Sequence, residues 1–458
     1  MKKGALTGLL LFGMFFGAGN LIFPPALGVL SGENFWPAIL GFVVSGVGIA
    51  VIALIVGTLN PKGYVHEISR KISPAFATIY LVALYLAIGP FFAIPRTATT
   101  SFEIGIAPLL GDANLGLWLF GFTALYFVAA YLIALNPSQI LNSIGRILTP
   151  VFAILIVILV VLGIVKYGST NPLPAADAYS AGRAFGTGFI EGYNTLDALA
   201  SIAFSVVAVN TLKQLGFSSK KEYVSTIWSV GLVVALAFSA LYVGLAFLGN
   251  HFPVPADVLA SDTNKGVYIL SQATQAIFGP GAQIFLAAMV IVTCFTTTAG
   301  LIVSSGEFFA ERFPRFSYKV YATIFTLIGF GIANLGLNNI ITFSVPVLLV
   351  LYPITICIVL ITIVNKFVPL STYGMQLTVG LVTALSLVEV LASQFGWSAV
   401  TIALYKLPLA GQSLAWLLPA LIGIILSLFL PNKQESEVFE MGKFSNSRPS
   451  RSYSEKTA

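Results

Sequence analysis

The run Gly17-Ala18-Gly19-Asn20-Leu21-Ile22-Phe23-Pro24-Pro25 places small, polar and proline residues in the middle of an apolar segment spanning residues 4 to 30. That segment is long enough to cross a bilayer, whose hydrocarbon core of about 30 Å takes about 20 helical residues. Backbone at such depth leaves its helical hydrogen bonds only where it is buried in protein or lines a polar cavity. The run therefore predicts a helix interrupted at mid-membrane, including its proline pair, and a binding site at the interruption. The freed N–H groups and partial positive charge of a half-helix N-terminus suit a carboxylate. Free carbonyls at the opposing half-helix end suit a cation such as Na+.

Carriers built from inverted repeats interrupt helices at corresponding positions in their two halves, so a second interruption is expected five spans later. The sixth apolar segment carries Gly192 and Asn194, which echo Gly19 and Asn20 in composition. Depth points elsewhere: the midpoint of residues 184 to 211 falls near Leu199 to Ser201. The unwound turn is expected there, with Gly192 to Asp197 in the outer half. Neither interruption contains Lys or Arg, so a carboxylate would be held mainly by backbone dipoles. Phe16, Ile22, Phe23, Leu199 and Phe204 would line the remaining pocket, a combination that fits a small zwitterion with a hydrophobic side chain. In the eighth segment the hydroxyls of Thr297 and Thr298 are hard ligands suited to Na+, unless they bond back to their own helix. Gly17 and Gly19 have a structural alternative too, as small residues that let helices pack closely. Ionisable residues within spans are costly and functional by default. Arg96 is expected to face a wet cavity or to pair with Glu191 or Asp197. Glu307 reads as interfacial and Glu389 as a structural hydrogen-bond partner.

The elements that must position these residues are membrane helices. The chain of 458 residues is 57% hydrophobic and only 9% charged, with a mean hydropathy of +0.94, against about 25% charged in soluble domains. Apolar runs bounded by charges, Pro or Gly fall at about 4–30, 35–58, 76–106, 115–135, 147–165 and 184–211. They continue at about 224–249, 280–309, 317–335, 340–364, 375–394 and 411–430. The third and eighth are long, which implies tilt or extension beyond the bilayer rather than a second crossing. Distributing the 23 Lys and Arg residues over alternate sides puts 18 on one side, four (Lys166, Arg183, Lys265 and Lys406) on the other, and Arg96 within a span. By the positive-inside rule both termini are cytoplasmic. The formal charge of +6 is thus a topology signal and not a nucleic-acid footprint. Met1-Lys2-Lys3 opens the first span, which lacks the small-residue cleavage site of a signal peptide. Residues 431 to 458 read as a disordered tail.

Other chemistries find little support. His66 and His251 fall in predicted loops on opposite faces, so no His-based zinc site or catalytic dyad can form, and no Walker or dinucleotide-binding motif is present. Cys294 and Cys357 lie in apolar runs and do not suggest a disulfide framework. The chain does not read as an enzyme.

In Phe16-Gly17-Ala18-Gly19-Asn20-Leu21-Ile22-Phe23-Pro24-Pro25 and Gly192-Tyr193-Asn194-Thr195-Leu196-Asp197-Ala198-Leu199-Ala200-Ser201 the chain resembles the bacterial branched-chain amino acid:cation symporters, the leucine, isoleucine and valine carriers. The resemblance implies an all-α polytopic membrane protein with twelve transmembrane helices and a five-plus-five inverted repeat, helices one and six being broken. Residues 1 to 366 would form the transporter core, 367 to 430 two additional C-terminal spans, and 431 to 458 the tail. It implies Na+-coupled uptake of leucine, isoleucine and valine across the cytoplasmic membrane, with no cofactor beyond the coupling ion. Ala18, Gly19, Asn20, Leu199, Ser201 and Phe204 would bind substrate. Gly13, Phe16 and Gly17 would face Cys294, Thr297 and Thr298 across a sodium site. Proton coupling through Asp197, Glu191 and Arg96 remains an alternative, as does a membrane amino-acid sensor that does not transport.

Overall fold

The computed structural model describes residues 8, 12, 15–59, 63–111, 114–135, 139–180, 182–214, 220–279 and 281–434, with the side chains at 63, 139–150, 206–207, 210–214, 220 and 434 excepted. Helix α1 is Ala18–Ser31. After a 3-10 turn, α2 (Phe35–Val43), a π-helical stretch (Val44–Ile49) and α3 (Ala50–Leu59) form one continuous rod. The short α4 (Gly63–Lys71) leads to α5 (Pro74–Leu86), a second π-helical stretch (Ala87–Phe91) and α6 (Ala93–Gly105). Then come α7 (Leu115–Leu135) and α8 (Gln139–Tyr167), followed by α9 (Ala184–Glu191), a 3-10 turn (Gly192–Thr195) and α10 (Asp197–Gln214). The remainder comprises α11 (Lys220–His251), α12 (Lys265–Phe278), α13 (Gly281–Arg312), α14 (Tyr318–Ala333), α15 (Leu337–Phe367), α16 (Thr372–Gln394) and α17 (Leu417–Ser427). The only extended pairing among the described residues is a two-residue antiparallel bridge, Leu370–Ser371 with Lys433–Gln434.

Seven of these stretches, with Ala18–Leu59 counted as one, are long and apolar enough to cross a membrane, and Val151–Tyr167, Tyr318–Ala333 and Leu417–Ser427 are shorter apolar helices. Large apolar side chains such as Leu117, Leu125, Val165 and Phe429 stand on the outside, while Asn20, Arg96, Asp197 and a series of Ser and Thr residues are buried. That distribution is the one a hydrocarbon solvent selects, since polar groups there must find partners within the protein.

Both interruptions differ from the sequence-based expectation in position. The first lies at Phe16–Gly17, which are non-helical, and α1 then runs unbroken through Pro24 and Pro25. Each proline removes only one intrahelical donor, a loss that membrane helices tolerate when neighbours cover the freed carbonyl. The second lies at Gly192 to Leu196, and Leu199 and Ser201 are already inside α10. Leu196 closes this turn in the left-handed region, at φ 64° and ψ 7°, a conformation that costs a non-glycine residue about 1–2 kcal/mol and clusters at functional sites. Residues 281–312 form one uninterrupted helix. The long third segment instead bends at Gly89, whose φ of −93° and ψ of −123° are non-helical.

The tightest helix contacts are made by glycines outside the first motif. A Cβ on Gly28 would stand 1.9 Å from the Ala246 carbonyl oxygen, and one on Gly188 would stand 1.9 Å from that of Ala38. Gly17, in contrast, has room for a Cβ, its nearest neighbour being Thr297 Cγ2 at 3.6 Å.

Candidate substrate and cation site

The break before α1 is held by Asn20 from within the helix. Its Oδ1 accepts the Gly17 N–H at 3.1 Å, while its own N–H reaches the Gly17 carbonyl at 3.2 Å. The Asn20 side chain thus makes the N3 half of a capping box while the Gly17 backbone carbonyl takes the other bond, and both donors that the start of a helix leaves orphaned are satisfied. The Asn20 amide nitrogen meanwhile donates across the site to Asp197, at 3.2 Å from Oδ1 and 3.1 Å from Oδ2. Tyr242 from α11 completes the cluster: its hydroxyl donates to Asp197 Oδ2 at 2.5 Å and lies 2.5 Å from the Asn20 amide nitrogen. Asp197 is the first residue of α10, where a carboxylate is favoured by the helix dipole. Asn20 thus fastens one break to the other.

Arg96 enters from α6, which the bend at Gly89 and Pro90 directs toward the breaks. It is 3% exposed. Its Nη1 donates to the Asn194 carbonyl at 2.7 Å, its guanidinium lies 5.3 Å over the Phe23 ring, and its Nε has no hydrogen-bond partner. A Cβ on Gly19 would stand 3.0 Å from Nη2 and 3.3 Å from the Asn194 carbonyl oxygen. A side chain at position 19 would therefore press on the guanidinium and on the backbone of the second break. The expected ion pair is not formed: Asp197 is bound by Asn20 and Tyr242, and Glu191 accepts from the Asn194 amide at 3.0 Å. Arg96 lines the cavity between the breaks instead.

A cavity opens between the two breaks. Its polar lining comes from Gly17, Ala18, Gly19, Asn20, Arg96, Thr97, Thr195, Asp197 and Thr297, and its apolar lining from Phe15, Ile88, Ala93, Leu196, Ala200, Phe204 and Leu301. Four of the six expected substrate residues, Ala18, Gly19, Asn20 and Phe204, line it. Ser201 lines a second, very small space that Asp197 also borders, with Gly46, Val47 and Phe238. Leu199 is fully buried and lines neither space, because a helix that begins at Asp197 turns that position into the packing. Sequence reasoning missed Ile88, Leu196 and Leu301, and expected a carboxylate to be held mainly by backbone dipoles because neither break contains Lys or Arg. A bend in a neighbouring segment has no signature in the motif itself.

Of the expected cation ligands, Gly13 lies outside the described residues. Phe16 and Thr297 are brought together, with Thr297 Oγ1 at 3.5 Å from the Phe16 carbonyl oxygen. Thr297 also bonds back to the Thr293 carbonyl at 3.2 Å. The Gly17 carbonyl closes the first turn of α1. Thr298 points elsewhere: its hydroxyl lies 2.5 Å from that of Thr97 and 2.9 Å from that of Tyr126, and donates to the Cys294 carbonyl at 3.0 Å. Thr298 and Cys294 therefore belong to a polar cluster between α6, α7 and α13, and the structure does not join them to Phe16.

Comparison with known proteins follows the same lines. The family described as "Branched-chain amino acid transport protein" matches residues 1–434. A protein of Staphylococcus saprophyticus, described as a candidate branched-chain amino acid carrier, is 41% identical over 448 residues, covering 96% of this chain and 99% of its own length. One of Staphylococcus aureus with the same description is 41% identical over 431 residues, covering 93% and 96%. Among solved structures, inward-facing Mhp1 is similar with a TM-score of 0.56 at 15% identity, over 93% of this chain and 89% of that one. MhsT in complex with L-phenylalanine gives a TM-score of 0.53 at 16% identity, over 94% and 99%. At such identities the likeness is one of fold, that of the leucine-transporter-like carriers. This multi-pass, all-helical membrane protein belongs to the branched-chain amino acid transport protein family, whose members are transporters and not enzymes.

Proposed function

We propose that the chain carries leucine, isoleucine and valine into the bacterial cell by Na+ symport through the cavity between its two helix breaks. The observation that carries this reading is the cavity itself. Its lining brings the polar groups of the two breaks, Asn20, Arg96, Thr195 and Asp197, together with the apolar side chains of Ile88, Leu301 and Phe204, the mixture that small-molecule sites use. The α-ammonium and α-carboxylate of an amino acid suit the former, and a branched aliphatic side chain the latter. Asp197 supplies acceptors for the ammonium, and the N–H groups that begin α1 face the carboxylate. The Phe16 carbonyl and Thr297 hydroxyl are hard oxygen donors close enough to share one Na+, in the manner of unwound carbonyls in carriers with broken helices.

Packing supports the inverted repeat. The first span meets the seventh where Gly28 faces Ala246, and the sixth meets the second where Gly188 faces Ala38. An offset of five spans exchanges these two pairs, as a repeat requires. Loop contacts support twelve crossings with both termini cytoplasmic. Asn34 donates to the Tyr179 carbonyl at 2.9 Å and Gln412 to that of Gly182 at 2.6 Å, all in or at the edge of loops assigned outside by charge. Gln376 donates to the Ile72 carbonyl at 2.7 Å, and Lys433 pairs with Ser371, all assigned inside. Alternating access then consists of one helical bundle rocking about a fixed midplane site.

Leucine uptake into proteoliposomes is expected to rise with an inward Na+ gradient, and uptake unchanged on replacing Na+ by choline at constant pH would refute symport with sodium. Asp197 lines both internal spaces, which favours one second reading, proton coupling through that carboxylate. Uptake driven by a pH gradient without Na+ would establish it. Absence of counterflow despite binding would instead identify a sensor.

A further inference from the structure

Arg96 is the most exceptional group in the molecule. A guanidinium presents five N–H donors, stays charged in proteins and cannot be buried cheaply without an anion. Here it is 3% exposed, and among the described residues its side chain makes a single hydrogen bond, from Nη1 to the Asn194 carbonyl. Nε has no partner, and among the described residues Arg96 forms no ion pair. Its Nη2 lies beside Gly19, at 3.0 Å from where a Cβ would be, so its free edge faces the cavity and the first N–H groups of α1.

We propose that Arg96 is the anchor for the α-carboxylate of the transported amino acid, holding it together with the N-terminus of α1. This rests on the cavity being the amino-acid site and deepens that reading, because a backbone site alone would need no buried arginine. The Asn194 bond and the Phe23 ring hold the guanidinium in one plane, and planar guanidinium recognises planar carboxylate through paired N–H bonds. Asp197, fixed by Asn20 and Tyr242, lines the same cavity and receives the ammonium. The buried cation and the buried anion are left unpaired with each other by the protein, and a zwitterion placed between them satisfies both. The substrate must therefore carry a free carboxylate. Amino alcohols and amides of the same side chain are excluded because they cannot neutralise Arg96.

The test compares leucine with leucinol, which keeps the side chain and ammonium but has no carboxylate. Affinities are measured on the purified full-length protein in Na+. Wild type is expected to prefer leucine by about 10- to 100-fold, the range of a charge-assisted hydrogen bond to a buried partner. In Arg96→Gln that preference should collapse to less than about threefold, through loss of leucine affinity with little change for leucinol. Arg96→Lys keeps the charge without the planar fork and should retain an intermediate preference. Retention of the wild-type preference in Arg96→Gln would overturn the proposal and leave Arg96 a brace for the Asn194 turn. If Arg96→Gln does not fold, an Arg96→Lys protein with the full wild-type preference would overturn the planar anchor, and an intermediate one would support it. Failure of wild type to bind leucine at all would refute the amino-acid site itself, a result distinguishable from either outcome.

Discussion

The bond from Asn20 to Asp197 should be a measurable clamp between the two broken helices. Asn20→Ala removes the acceptor for the Gly17 N–H and the donor to both Asp197 oxygens. A lost helix cap costs about 1 kcal/mol, and a lost hydrogen bond to a carboxylate about 1.5–3 kcal/mol. The expected destabilisation is about 3 kcal/mol, below the upper sum because Tyr242 still donates to Asp197. Asn20→Asp separates the two terms. It preserves the cap acceptor but sets a second carboxylate against Asp197, so at neutral pH it should cost at least as much as Asn20→Ala. Adding Asp197→Asn restores a donor and an acceptor with their places exchanged. The swapped pair should recover at least half of the loss, a coupling of about 1–3 kcal/mol, within the range for residues in direct contact.

The assay is unfolding of the purified protein in mixed micelles of dodecyl sulfate and a mild detergent, followed by tryptophan fluorescence without Na+ or leucine. Leaving out both ligands keeps substrate binding from contributing by mass action. Coupling within about 0.5 kcal/mol of zero, the additivity expected of independent sites, would refute the clamp. Asn20 would then act only as a helix cap.

Further expectations concern the cation site and the packing. Thr297→Val should weaken Na+-dependent leucine binding at least tenfold while Thr297→Ser retains it, whereas Thr298→Val should leave the Na+ dependence intact and lower stability by about 1–2 kcal/mol through its bonds to Thr97 and Tyr126. Na+ titrations of leucine binding, alongside unfolding, distinguish the two threonines. Gly28→Ala should cost about 3 kcal/mol or more, since its Cβ would meet backbone at 1.9 Å and α1 and α11 would have to separate. Gly121→Ala, on an exposed helix position with nothing within 4 Å, should be neutral or stabilising by up to about 1 kcal/mol; equal effects in the same unfolding assay would refute the packing argument.

The helical class, the segments and the Gly17 to Asn20 interruption were legible in the sequence because a membrane imposes long apolar runs and makes polar exceptions conspicuous. The second interruption was misplaced by an argument from depth. That argument assumes a break near the middle of its segment, whereas α9 has eight residues and α10 has 18. The local chemistry was the better guide. Asn194 accounts for a carbonyl that Arg96 seizes, and Thr195 Oγ1 accepts the Asp197 N–H at 3.4 Å, the mark of a helix start. The same logic explains the first motif, where the prolines looked like the break but the cap set by Asn20 fixes it at Gly17. Where a membrane helix restarts, the residue that can satisfy the exposed N–H groups decides the position.

What the sequence could not carry is what depends on one neighbour's direction. Arg96 was visible as an intramembrane charge, yet its approach to Gly19 depends on a bend at Gly89 that moves α6 toward the breaks. Thr297 and Thr298 are chemically equivalent and adjacent, but successive helix positions point about 100° apart. One therefore meets the Phe16 carbonyl and the other meets Tyr126. A hydroxyl pair in a motif is thus a statement about two faces of a helix. Only the face that meets a carbonyl released by a break can take part in holding an ion.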